Sequence, residues 1–579
     1  MSYSPPSLYN LTLRVASEKT LVDALFYKTW VKELRSLPNN ILFDCYYMLY
    51  SRDHLCILSD ELSDVNVINR LILVPNNRTK LLRLIQSQLD HGSKPPLGVS
   101  TALLSNFIKL AKAPIVDKSL INIGLRLGSL LNEGGWYSCC KDLMVTTDYL
   151  CQRFPRNKFI RNKLLQCYQR KLYAEVQFKD LEGAEHTYTK ALQVIEDLKR
   201  YDDRPNLALI FSNFSGLFYM KSDYSKAIKW SRRALRALHK DLCIRIVIEV
   251  LRQASKASIV KRYFNQAGLL IKQALNLATD VWAIDRHPRF ADTLSDYGFF
   301  LLNSDNTDES VKVYQQALNI RSSVFVKYNI NVAIAHEDLA YVLYVHQYSS
   351  GSFTTASTHA ETALRIMDKV IRGDNLLKSS AKRVKALILE EIALDLPGAD
   401  IRFLVENYFR EAEELHKEAL ASSLKTFGEN NLLTAKQYGN LGRLYQSMKR
   451  FDEAEKMHLA AIAIKEELLG PYDYEVALSV GHLASLYNYQ MGRYKEAEEL
   501  YKRSIEINIG LFGESYSGLE YDYRGIAHIY IKLEDLPKVQ LYQQKMRDWT
   551  RLRNEIPPIR YDDEVLPVDQ IVANYFKMC

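Results

Sequence analysis

Eight cysteines in 579 residues are too few and too scattered to form a framework. Only Cys139 and Cys140 are neighbours and no C-x-x-C pair occurs, which excludes a disulfide scaffold and the common zinc-ribbon spacings. Thiols in this pattern are expected to be reduced and buried, as in a cytosolic protein. No apolar run approaches the ~20 residues that a membrane span requires. Met1–Asn10 has neither a charged n-region nor an apolar core, so no secretory signal is expected. Charge of one sign is also missing: 76 basic residues oppose 68 acidic ones, a net of +8. No nucleic-acid motif accompanies that balance, and no nucleic-acid partner is expected. Catalytic motifs are absent as well, with no P-loop, G-x-G-x-x-G, H-E-x-x-H or G-x-S-x-G. His336-Glu337 lacks the second His that zinc would need four residues on. The expectation is a non-enzyme with no cofactor, no metal and no catalytic residue.

What is present is a foldable composition, 47% hydrophobic and 25% charged, and a repeat. Thr434–Gly470 and Glu475–Gly513 are two copies of one unit of about 42 residues. Superposed, Leu441, Gly442 and Tyr445 meet Leu483, Ala484 and Tyr487, and Ala454 meets Ala497. A large–small–aromatic helix, a turn and an Ala-centred helix are the tetratricopeptide pattern. The small residue lets paired helices approach, and each hairpin must stack on the next to bury its apolar face. Weaker copies run from about 116, at Gly124–Met144, Ser212–Trp230, Arg252–Leu270, Ser295–Leu318 and Glu337–Leu364. The expected fold is all-α, a tetratricopeptide-repeat superhelical solenoid over 116–553 with about nine or ten repeats and an insertion near 396–410. Pro537 in the last unit is expected to cap the stack. Residues 554–579, with Pro557, Pro558 and an acidic run, are expected to form a partly ordered tail.

The N-terminal residues do not follow the repeat. Residues 1–60 read as docking helices and 61–115 as a helical connector. Leu8, Thr12 and Ala16 share a helix face and, with Ser7, resemble an elongin-binding box, although Thr12 stands where Cys is commonest. Leu37, Pro38, Ile41 and Cys45 resemble a cullin-2 box, with Pro38 starting the helix. An ordinary amphipathic helix explains each pattern equally well.

In such a solenoid the first helix of each hairpin lines the concave groove. The residue before the signature Leu position reads Asn213, Gln253, Asp296, Asp338, Asn440, His482 and Gly525. These amides, acids and His suit an extended peptide, although they are also what an exposed polar face could carry. Lys436, Asn440 and Arg443, with His482 one repeat on, could hold a carboxylate. Asp296, Glu337 and Asp338 could hold an Arg. A peptide with a free C-terminal carboxylate and an upstream Arg would match both.

The segments RSLPNNILFDCYYMLY, VLRQASKA, LSDYGFFLLN, HEDLAYVLYVHQYSSG, YGNLGRLYQSM, EVALSVGHLASLYNY and SGLEYDYRG resemble the amyloid precursor protein-binding protein 2 family, relatives of the kinesin light chains. The resemblance covers about residues 1–553, and not the tail. It implies a substrate receptor of a cullin-2 RING ubiquitin ligase, joined to elongin B, elongin C and cullin-2 with its RING subunit. The substrates would carry C-terminal degrons with Arg and Gly near the chain end. It further implies the amyloid precursor protein cytoplasmic tail and microtubules as partners, a homo-dimer, and a cytoplasmic, nuclear or peripheral membrane location. A cargo adaptor for transport is the alternative, although residues 1–115 lack the sustained heptads of a kinesin light chain. A chaperone cofactor needs a mostly basic groove, which Asp296 and Asp338 oppose.

Overall fold

The computed structural model describes residues 32–91, 99–200, 205–347, 351–396, 402–555 and 564–579. Every regular element among them is a helix, and none is long and apolar enough to cross a membrane. Helices α1 (Asn39–Ser51), α2 (Leu55–Leu62), α3 (Val65–Ile72), α4 (Arg78–His91) and α5 (Val99–Ala111) pack as a cap. The division expected at residue 60 falls inside this bundle. Buried Glu61 of α2 accepts from Tyr46 of α1 at 2.6 Å and from two nitrogens of Arg35 at 2.9 Å. A carboxylate buried there is tolerable only because it is fully paired. The cap shares one apolar core with the first hairpins, from Leu42, Ile68 and Phe107 to Leu125 and Leu143.

Ten hairpins follow. The first three are α6 (Ser119–Glu133) with α7 (Tyr137–Gln152), α8 (Lys158–Gln177) with α9 (Leu181–Arg200), and α10 (Ala208–Met220) with α11 (Tyr224–Arg236). The next three are α12 (Ile244–Val260) with α13 (Phe264–Ala278), α14 (Pro288–Asn303) with α15 (Thr307–Val324), and α16 (Ile330–Gln347) with α17 (Thr354–Val370). Then come α18 (Leu376–Asp395) with α19 (Arg402–Phe427) and α20 (Leu432–Ser447) with α21 (Phe451–Leu469). The last two are α22 (Tyr474–Ser485) with α23 (Tyr494–Phe512) and α24 (Leu519–Lys532) with α25 (Leu536–Asn554). Part of the insertion expected near 396–410 is helical, since α19 starts at Arg402 and runs 26 residues.

The repeat chemistry acts within each hairpin. A Cβ on Gly442 of α20 would fall 2.9 Å from the His458 ring of α21, and one on Gly298 would fall 2.9 Å from Tyr314. The small residue therefore receives a ring from its partner helix. Most hairpin turns carry one residue in the left-handed region, usually not glycine: Lys179, Ser222, Arg262, Asp305, Lys449 and Glu534. The two copies also differ by one residue. Leu441 to Ala454 spans 13 positions and Leu483 to Ala497 spans 14. A π-helical turn at Leu486–Met491 absorbs the extra residue without shifting the flanking faces.

Consecutive superhelical turns touch every five hairpins. Asn329, Asn375 and Asn431 each do two jobs at the start of a first helix. The side-chain oxygen accepts the N–H two residues on, each at 2.8 Å, and caps the helix. The amide nitrogen donates to a turn carbonyl of the preceding superhelical turn: to Gly134 at 2.8 Å, Phe178 at 2.9 Å and Lys221 at 3.1 Å. At the next step Asp473 caps but has no amide to donate, and Arg262 instead lies 4.6 Å from the Tyr474 ring centre. One step further, Asp305 accepts from the Ser517 hydroxyl at 2.6 Å. Successive superhelical turns are therefore joined, among the described residues, at five consecutive hairpin steps flanking the inner channel.

Within the segment expected as a partly ordered tail, the last helix, α26 (Val568–Lys577), docks on the solenoid. Ile571 and Tyr575 are wholly buried against the outer side of the fourth hairpin and its neighbour.

Candidate functional site

The inner face carries a polar cavity of about 160 Å³. Its walls come mainly from the first helices α8, α10, α12, α14 and α16, because hairpin stacking turns these helices inward, with Tyr137 of α7 and Arg321 of α15 added from second helices. Four of the seven groove residues expected from the repeat register line it: Asn213, Gln253, Asp296 and Asp338. Asn213 donates to the Gln169 carbonyl at 2.8 Å, and Gln253 donates to the Ser215 hydroxyl at 3.3 Å. Asp296 is paired twice, with Arg252 Nε at 2.7 Å and Lys256 Nζ at 3.3 Å.

Asp338 differs. No described hydrogen bond or ion pair meets its carboxylate. Burial first, then the like charges of Glu337 and Asp296, push its carboxyl up to about 7 against the pull of Arg321 and Lys179. A cation entering this cavity would find a carboxylate with no competing partner. Glu337 itself is buried and does not line the cavity; burial raises its carboxyl too.

The other half of the expected site is arranged differently. Lys436 Nζ pairs with Glu475 at 2.6 Å, and although burial opposes its charge, Glu475 more than offsets that. Arg443 pairs with Glu390 at 2.7 Å and donates to the Tyr344 hydroxyl at 2.5 Å. The structure thus couples both cations to internal carboxylates rather than gathering them into a free anion cradle. His482 stacks on His458, ring centres 6.2 Å apart, and burial holds it neutral. Asn440, between Lys436 and Arg443 in sequence, is half-buried and its side chain carries no described hydrogen bond.

The register reading missed Arg252, Lys256, Asp292 and Arg321, which line the same cavity. Arg321 donates to Asp292 at 3.0 Å and to the Ser295 hydroxyl at 3.1 Å. Arg252 and Lys256, like Asp292 and Asp296, are four residues apart and share a helix face, a pairing visible in sequence. Arg321 lies on a second helix, which the register rule does not sample.

Ser7, Leu8, Thr12 and Ala16 lie outside the described residues. Pro38 is exposed at the start of α1 with an extended ψ of 149°. Arg70 of α3 ties down this start, donating to the Arg35 and Leu37 carbonyls and to Asn39 at 2.8 Å. Leu37 and Ile41 are half-buried against the cap core, and Cys45 is only 5% exposed. Cap packing alone therefore accounts for an apolar residue at 45.

A tetratricopeptide repeat family model matches residues 399–467, and a second matches 476–515. The mouse protein Amyloid protein-binding protein 2 is 43% identical over 556 residues, 96% of this chain and 93% of the relative. Its rat counterpart is equally similar over the same span. Among solved structures, the apo form of RapI aligns at 13% identity with a TM-score of 0.41, over 67% of this chain and 97% of that one. With identity of this extent along nearly the whole chain, the protein belongs to the amyloid protein-binding protein 2 family.

Proposed function

We propose that this tetratricopeptide adaptor is the substrate-recognition subunit of a cullin-2 RING ubiquitin ligase and takes chain-terminal peptides into its inner channel. The observation that carries the reading is the row of contacts that joins successive turns at five consecutive hairpin steps and would leave the channel open chiefly at its ends. A free chain end enters such a channel readily, whereas a folded loop does not. The unpaired Asp338 beside the paired Asp296 suits an Arg near that end, by charge-assisted hydrogen bonding. Elongin B–C and cullin-2 would dock on the N-terminal residues, with Leu8 as anchor and Pro38 and Ile41 at the start of α1. The protein would then hold its target near a ubiquitin-loaded partner and supply proximity rather than bond chemistry.

A pull-down with elongin B–C and cullin-2 tests this. Leu8→Ser should abolish elongin capture, and Pro38→Ala with Ile41→Ser should weaken cullin-2 recruitment. No capture by the unsubstituted chain would overturn the ligase reading. The second reading, a transport adaptor for an amyloid protein, draws on the relatives' name as amyloid protein-binding proteins. It requires the same channel to take up a peptide without any cullin.

A further inference from the structure

Residues 564–579 lie at the middle of the solenoid, on its outer side and behind the walls of the cavity. Their contacts fall on two neighbouring hairpins. On α13, Gln273 is 3% exposed and its amide grips the backbone in both directions, donating to the Glu564 carbonyl and accepting from Leu566 N–H, each at 2.9 Å. Gln266 of α13 donates to the Met578 carbonyl at 2.7 Å. On α11, the Arg236 guanidinium lies 4.6 Å from the Phe576 ring centre, and Arg232 reaches the Cys579 sulfur at 3.4 Å. Ile571 and Tyr575 fill the space between, in one core with Leu235, Leu238, Leu270 and Ile271.

We propose that residues 564–579 form a splint that fixes the angle between the third and fourth hairpins, and through it the spacing of the cavity wall. Helices α11 and α13 are the partners of α10 and α12, which present Asn213 and Gln253 to the cavity. In a solenoid each hairpin touches only its neighbours, so local curvature rests on one thin interface. A helix laid across the outside of that interface adds a second point of attachment. The buried glutamine adds register, because a one-residue slip of the segment would leave both ends of its amide unpaired. The consequence for ligand binding rests on the proposed use of the channel; the splint itself does not.

Amide hydrogen exchange on the full chain tests the splint without any ligand. Ile571→Asp and, separately, Tyr575→Asp should release α26 and speed exchange in α10 and α12 by about tenfold or more, leaving α20 unchanged. A synthetic peptide of residues 564–579 added in trans should restore slow exchange in α10 and α12. Unaltered exchange there after release of α26, or equal acceleration in α20, would overturn the proposal. Because no channel ligand is present, failure here is distinct from failure of the ligase reading.

Discussion

Asn431 belongs to two turns of the superhelix at once: its oxygen caps α20 through Leu433 N–H at 2.8 Å, and its nitrogen holds the Lys221 carbonyl at 3.1 Å, 210 residues away. Asn329 and Asn375 repeat the arrangement. A cap and a clasp are thus combined in one side chain, which requires an acceptor and a donor on the same group.

Substitution separates the two roles. Asn431→Asp keeps an acceptor for the cap and loses the donor, so it should cost about 1 kcal/mol. Asn431→Ala loses both and should cost about 2 kcal/mol. Exchange of the α20 amides reads the difference locally, where a single global transition cannot be assumed for a repeat array.

The close-packed glycines should be unequal. A Cβ on Gly442 would meet His458 at 2.9 Å, whereas one on Gly439 meets nothing nearer than 3.9 Å. Gly442→Ala should therefore destabilise by about 1–3 kcal/mol through overpacking. Gly439→Ala should be neutral or slightly stabilising, as a helix-propensity gain. Amide exchange within α20 and α21 of the two variants checks this.

Acid should weaken the stack around the buried histidines. Burial depresses His416 and His458 to about 3, and neither ring has a hydrogen-bond partner in the structure. Between about pH 6.5 and 3 the unfolded chain binds protons that the folded chain refuses. Stability is therefore full above pH 6.5 and falls as the pH drops through that window. His416→Leu should reduce the loss between pH 7.5 and 5 by about 2 kcal/mol, read from denaturant midpoints at the two pH values.

Asp338 titrates in the opposite sense. Its carboxyl, raised to about 7, is mostly protonated at pH 6 and ionised at pH 8. A peptide whose Arg pairs with it should bind about tenfold more tightly at pH 8 than at pH 6. In Asp338→Asn that dependence should vanish, as calorimetric titration at the two pH values would reveal.

Much of this was legible in the sequence because hairpin chemistry is local. Gly442 meets His458 sixteen residues on, and the signature Leu, Gly and Tyr positions recur in register. The clasps were not legible, because Asn431 reads as an ordinary helix cap until the superhelical pitch places Lys221 beside it. The same limit hid the partners of Lys436 and Arg443: Glu475 lies one repeat on, and Glu390 sits across an enlarged hairpin. The docking of Ile571 and Tyr575 was hidden by a run of prolines and acids that reads as a tail.

The inner channel is proposed to read chain ends. The direct measurement is a titration of the full chain with one labelled peptide, bearing an Arg and a free C-terminal carboxylate, in two forms. The first ends at that carboxylate, and the second embeds the same residues in the middle of a closed ring. The free end should bind and the ring should not. Equal affinity for both would contradict end-on entry and leave the channel without its proposed role.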